Sequence, residues 1–278
     1  MKTSNHLLRR LTAALLAAVL ALSIALPVFA SDDGDTIYIN SVSDLLSLAK
    51  SCAYDQWSVG KTVILQKDLS LEGMLWEPIP SFSGQFKGNG HTISDLTITG
   101  QYSPAGLFGI VEEQGSIESL SVRGIVSVSD AADTTTGGIV GINHGTLINC
   151  QFTGVVTGDS EVGGIVGRNE SEGTIDHSTA RAIVTGKSST GGIAGYNLGA
   201  ITGCTNVGSI NTEYQEASLD TDGFTAKMVD QINNKIAAAD DDATNSVTNV
   251  ATDTGGIAGR SSGMILTSVN TGTVGYEH

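Results

Sequence analysis

Apolar residues recur along this chain in short runs bounded by glycine or asparagine, and the runs lack the 3.6-residue rhythm of a helix. The stretch "GGIVGINHGTLINC", residues 137–150, is echoed by "GGIVGRNESEGTIDHS", "GGIAGYNLGAITGC" and "GGIAGRSSGMILTS". Aligned on Gly106, Gly138, Gly164, Gly192 and Gly256, the copies resolve into columns. Leu107, Ile139, Ile165, Ile193 and Ile257 form one aliphatic column. Ile117, Leu147, Ile175, Ile201 and Ile265 form a second, and Val126, Val156, Val184, Ile210 and Val274 a third. Gly109, Gly141, Gly167, Gly195 and Gly259 never vary, and Gly124, Gly154, Ala182, Gly208 and Gly272 are all small.

Three aliphatic columns per copy, separated by Gly and Asn corners, predict a coil of about three short strands. One coil cannot bury its own apolar side chains, whereas stacked coils bury them against their neighbours. Equivalent strands then pair in parallel at about 4.8 Å, with like residues lying on like. Asn143, Asn169 and Asn197, with Ser261 in the fourth copy, share a corner and are placed to hydrogen-bond up and down the stack. The fold class is all-β, a parallel β-helix solenoid over residues 60–278.

Two segments depart from the pattern. In "SVSDLLSLAKSCAYD", Ser41 and Asp44 form a capping box, and Leu45, Leu48, Ala49 and Cys52 fall on one helical face. Residues 31–59 are therefore expected to supply a strand and a short helix that caps the first coil. At about 212–253 an insertion separates the last two copies, and Phe224, Met228, Val229, Ile232 and Ile236 predict an amphipathic helix inside it. The run Asp240, Asp241 and Asp242 lacks the alternating ligands and turn glycine of a calcium loop. The chain ends at "SVNTGTVGYEH" with no capping helix, so the last coil is expected to continue into, or pack against, a further C-terminal segment or a partner.

The first 30 residues read as a signal peptide. Lys2, Arg9 and Arg10 precede an apolar run from Leu11 to Leu26, and Val28, Phe29 and Ala30 end it as a processing site. Secretion to an extracellular, cell-surface location follows. No later segment is apolar enough to span a bilayer, so the mature chain is not expected to insert in a membrane. Without the leader's three cations, 11 basic residues face all 29 acidic ones. A surface that acidic repels nucleic acid and anionic lipid.

The stretch "GGIVGINHGTLINCQFTGVV" resembles the GLUG motif, a glycine-rich repeat of bacterial surface proteins that include adhesin-like ones. Upstream, "FSGQFKGNGHTISDLTITG" resembles the opening coil of secreted β-helix proteins of the pectate-lyase-like superfamily. The resemblances cover residues 60–211 and 254–276 and imply that the coil is right-handed.

Candidate chemistry is sparse. The glycine runs fail as phosphate loops, since neither Gly-Lys-Ser/Thr nor a helix follows them. Cys150 and Cys204 share a column with Ser178 between them, about 9.6 Å apart and beyond disulfide reach. With Cys52 they are expected to be inert buried thiols. His91, His144 and His177 share no column and suggest no metal cluster. Asp176 with Arg181, and Glu118 with Arg123, stand without a paired acid suited to glycoside hydrolysis. Trp57 and Trp76, with Tyr54, Phe82, Phe86 and Tyr102 nearby, are expected to fill the core beneath the N-terminal cap, although exposed aromatics there could stack on sugars. No residue is assigned as catalytic, cofactor-binding or metal-binding, and no cofactor is expected. The function expected is a non-catalytic, adhesin-like scaffold that contacts glycans or surface proteins. The alternatives are a carbohydrate-active β-helix enzyme, lyase or hydrolase, and a spacer projecting another domain.

Overall fold

A computed structural model of the chain describes residues 35–54, 56–128, 134–212 and 252–275. The expected signal peptide and the helix expected in the insertion lie outside these residues. A complete coil is seen in Thr136–Gly137, Val140–Asn143, Thr146–Ile148 and Gln151–Thr157, four short strands rather than three. The additional strand is the start of the glycine doublet itself, which carries little apolar side chain and so left no aliphatic column in the sequence.

Every coil is laid on the one before it with strands parallel, and four sheets result. The first has four strands, from Thr136–Gly137 to Thr252–Gly255, and the second six, from Ile79–Phe82 to Ala258–Ser261. The third has eight, from Thr36–Ile39 to Met264–Leu266. The fourth runs from Leu69–Ser70 through Gln151–Thr157 to Val269–Asn270 and Thr273–Val274. Registers reproduce the sequence columns: Ile117 pairs with Leu147, Leu147 with Ile175, Ile175 with Ile201 and Ile201 with Ile265. Val126, Val156, Val184, Ile210 and Val274 stack likewise. The stack resumes in register after the insertion, with Thr190 opposite Thr254 and Gly191 opposite Gly255.

The core is the inside of this stack. Its aliphatic columns are buried down to the penultimate coil, and the N-terminal coils add bulk through Trp76, Phe82, Phe86 and Phe108. Phe108 packs 5.4 Å from both Phe82 and Phe86, and the Trp76 indole N–H donates to the Leu107 carbonyl at 3.2 Å. Tyr54 stays exposed, while Trp57 and Tyr102 lean partly buried against the core.

Close stacking explains the conserved spacing of small residues at two positions. A Cβ on Gly138 would collide with the Phe152 ring, and one on Gly154, at φ +150°, would collide with the Gly124 carbonyl above it. The turn from the third sheet into the fourth is left-handed in successive coils, at Ser119, Asn149, His177, Gly203 and Thr267 with φ between 45° and 61°. Asn and Gly adopt this conformation readily, while His177 does so because its coil must turn where its neighbours do.

The helix α1, Val42–Ser51, is the one helix among the described residues. Ser41 Oγ accepts the Asp44 N–H at 3.2 Å, and Asp44 Oδ2 accepts the N–H of Asn40 at 2.9 Å. Leu45, Leu48 and Cys52 are buried, as the helical face predicts. The other end differs: Ile265 is 39% exposed, whereas Ile201, one coil earlier in the same column, is fully buried.

Candidate interaction surface

Because side chains alternate across a strand, inward positions make the core and outward positions carry any chemistry. On the second sheet the outward column reads Ser81, Ile110, Ile142, Arg168, Tyr196 and Arg260, paired rung by rung. The Tyr196 ring lies between two guanidinium groups, with the Cζ of Arg168 5.1 Å and that of Arg260 5.6 Å from its centroid. Each such contact at a partly exposed site contributes about 0.5–1 kcal/mol. Arg168 is held in place by carboxylates: its Nη1 reaches Glu161 Oε1 at 2.8 Å and its Nε reaches Glu170 Oε1 at 2.6 Å. Desolvation alone would lower the Arg168 pKa, but Glu161 and then Glu170 outweigh it and raise the value. Among the described residues Arg260 has no carboxylate partner, and it is exposed.

Directly beneath this column runs the corner predicted from sequence. Asn143 Nδ2 donates to Asn169 Oδ1 at 2.8 Å, Asn169 Nδ2 to Asn197 Oδ1 at 2.8 Å, and Asn197 Nδ2 to Ser261 Oγ at 3.1 Å. All three asparagines are fully buried. Amide groups pairing along the stack satisfy one another where water has no access. A second pair, Asn206 Nδ2 to Asn270 Oδ1 at 2.7 Å, was not foreseen, because those positions align with Phe152 and Ala180 in earlier coils.

Arg168, Tyr196 and Arg260 are the residues that sequence reading passed over. The signal was present: each stands immediately before the ladder Asn, or before Ser261, in its own copy. Outward columns vary in residue type, so they draw no attention until the register shows them in file.

The carboxylates and cations singled out from sequence occupy the third and fourth sheets. Glu118, Ile148 and Asp176 form one outward column, and Arg123, Thr153 and Arg181 another across the left-handed corner. The two acids thus share a column with Ile148 between them. His177 Nδ1 sits 2.9 Å from Asp176 Oδ1 and His91 Nδ1 3.1 Å from Asp68 Oδ1, so these two histidines lie against separate single acids. Asp68 has its pKa lowered, first by the Thr92 backbone N–H and then by His91. Among the described residues no group of three or more His, Cys, Asp and Glu is placed to hold a metal ion.

Cys52, Cys150 and Cys204 are free and buried. The Cys150 N–H donates to Ser178 Oγ at 3.1 Å, the Ser178 N–H to Cys204 Sγ at 3.4 Å, and the Cys204 N–H to Ser268 Oγ at 3.2 Å. Sulfur and hydroxyl alternate as acceptors along one inward file. Burial raises the Cys150 thiol to about 12, and Cys52 and Cys204 to about 11. Thiols so shifted are poor nucleophiles at neutral pH.

Comparison with known proteins agrees with this architecture. Over 155 residues the chain is 32% identical to halomucin from Haloquadratum walsbyi, covering 51% of this chain and 2% of that protein. It is 29% identical over 137 residues to a protein of Evansella cellulosilytica provisionally named as a Gly-rich membrane protein, covering 36% of this chain and 16% of the other. The chain therefore spans a small part of either relative's length. Among solved structures, a Bacteroides ovatus protein provisionally named as an immunoglobulin A1 protease superposes with a TM-score of 0.57 at 18% identity. That match covers 86% of this chain and 66% of the other, and it speaks to the fold alone. The family model described as the GLUG motif matches residues 158–185, which span one complete coil from Val162–Gly163 to Thr179–Thr185. The chain thus carries a GLUG motif at residues 158–185 within a stack of parallel β-coils.

Proposed function

We propose that this chain is a non-catalytic scaffold module of the cell surface, exported by its N-terminal leader, whose β-helix contacts glycans or other surface proteins. The observation that carries this reading is the division of labour within each coil. Inward positions are consumed by a continuous core and by Asn and Cys/Ser files, so the outward columns are the part free to meet a ligand. Outward groups set rung after rung along a stiff rod can meet one extended ligand at several points, and multivalent contact raises avidity without any single strong site. The names of the relatives, a halomucin and a Gly-rich membrane protein, support a surface location. No helix among the described residues is long and apolar enough to cross a membrane.

The last described coil presents apolar side chains at its surface. Met264, Ile265, Leu266 and Val269 are 39–53% exposed there, and the aliphatic columns end without a partner among the described residues.

Glycan-array binding by the mature chain, beside a depolymerisation screen on polysaccharides, tests the proposal. Retention on glycans without shortening of any polymer is the expected outcome. Shortening would overturn it in favour of an enzyme, and silence in both assays would overturn it in favour of a spacer.

A further inference from the structure

We infer that the outward file Arg168–Tyr196–Arg260 on the second sheet is a binding site for the oxyanion groups of a linear anionic polysaccharide. This rests on the scaffold reading above and names the place and chemistry of contact.

Three observations converge on it. First, the site is preorganised. Tyr196 is clamped between guanidiniums at 5.1 and 5.6 Å, and Arg168 is fixed by Glu161 and Glu170 at 2.8 and 2.6 Å. Glu161 is itself steadied by the Thr135 hydroxyl, which donates to its Oε2 at 3.0 Å. Second, the roles of the two cations differ. Arg168 has its charge answered by two carboxylates, whereas Arg260 meets only the Tyr196 ring among the described residues. A guanidinium fork so presented is complementary to a carboxylate or sulfate, which accept paired N–H bonds. Arg168 is then a positioning residue, and Arg260 and the Tyr196 phenol are the groups that touch the ligand.

Third, the shape selects a polymer. The file is one side chain wide and continues along the stack through Ile142 and Ile110 at about 4.8 Å per rung. A linear sugar chain running along the rod can lay its apolar ring faces on the two isoleucines while an acidic substituent meets Arg260. A folded protein partner normally covers about 800 Å² of broad surface, which a single file does not provide. Glu161 and Glu170 answer the charge of Arg168 and the chain carries a formal net charge of −15, so the unanswered guanidinium of Arg260 supplies the local attraction for an oxyanion.

The test measures retention of the full mature chain on immobilised hyaluronate, dextran sulfate, neutral dextran and polyglutamate, for the native protein and three variants. Arg260→Ala is expected to weaken binding to hyaluronate or dextran sulfate by about tenfold or more. Tyr196→Phe is expected to weaken it by a smaller factor, and Arg181→Ala, on the fourth sheet, to leave it unchanged. Which of the two polymers is bound identifies carboxylate or sulfate as the group recognised. Circular dichroism spectra matching the native protein show that each variant keeps the fold. Equal retention of Arg260→Ala and native protein overturns the site while leaving the scaffold reading intact. Equal retention on neutral dextran overturns the role of the anion, and polyglutamate binding as tight as polysaccharide binding reassigns the partner to protein. If no anionic polymer is retained the site is refuted, and the scaffold reading falls only if the glycan array is silent too.

Discussion

Asn169 is the middle of three fully buried asparagines, giving its amide N–H to Asn197 and accepting one from Asn143. Asn169→Ala removes these two bonds and a third, from Nδ2 to the Gly173 carbonyl at 3.1 Å, and takes a partner from buried amides on both sides. Its expected cost is about 2–3 kcal/mol, read as a lowered urea midpoint. Asn270→Ala, at the exposed end of the second amide pair, should cost less than about 1 kcal/mol in the same assay. The first ladder was legible in the sequence because Asn recurs at one corner. The second was not, because only two coils carry it. The cysteines make a separate prediction at this scale. Burial raises all three thiol pKa values above the ordinary 9.0, so the native state holds its thiol protons more tightly than the unfolded chain. Above pH 9 the unfolded chain binds fewer protons, and stability should fall as pH rises from there towards 11–12. Ellman's reagent at pH 8 should find no fast thiol in native protein and three after denaturation. A rapid native reaction at Cys150 would contradict its placement inside the coil.

Among the elements, the strands of the second, third and fourth sheets followed from their aliphatic columns, and α1 followed from Ser41, Asp44 and the Leu45–Leu48 face. The first sheet did not, since its short strands set a glycine column beside a mixed column of Thr136, Val162, Thr190 and Thr254 rather than an aliphatic one. If α1 seals the first coil, two substitutions should separate its cap from its packing. Ser41→Ala should cost about 1 kcal/mol, through the lost N-cap bond. Leu45→Ala should cost about 2–5 kcal/mol, through a cavity between helix and coil. Equal, small effects in chemical denaturation would mean that the helix rests loosely on the stack.

For the whole molecule, a stack of coils has stability that accumulates rung by rung, so position along the rod should decide the effect of a fixed change. Ile175 and Ile265 share a column, yet the first is fully buried and the second 39% exposed. Ile175→Asp should abolish cooperative unfolding at 25 °C, whereas Ile265→Asp should leave a folded protein with a modestly lowered melting temperature. Architecture was legible from sequence at this scale because core columns repeat in kind. The candidate site was not, because Ile142, Arg168, Tyr196 and Arg260 share a column without sharing a type, and only the register makes them one surface. The central claim, that this rod binds a polymer through repeated outward contacts and does not cut it, is tested most directly by affinity as a function of ligand length. With one anionic polysaccharide in graded lengths, apparent affinity should rise by about tenfold or more from short oligosaccharide to polymer, with the polymer recovered at its original length. Equal affinity for the shortest fragment and the polymer, or recovery of a shortened polymer, would contradict it.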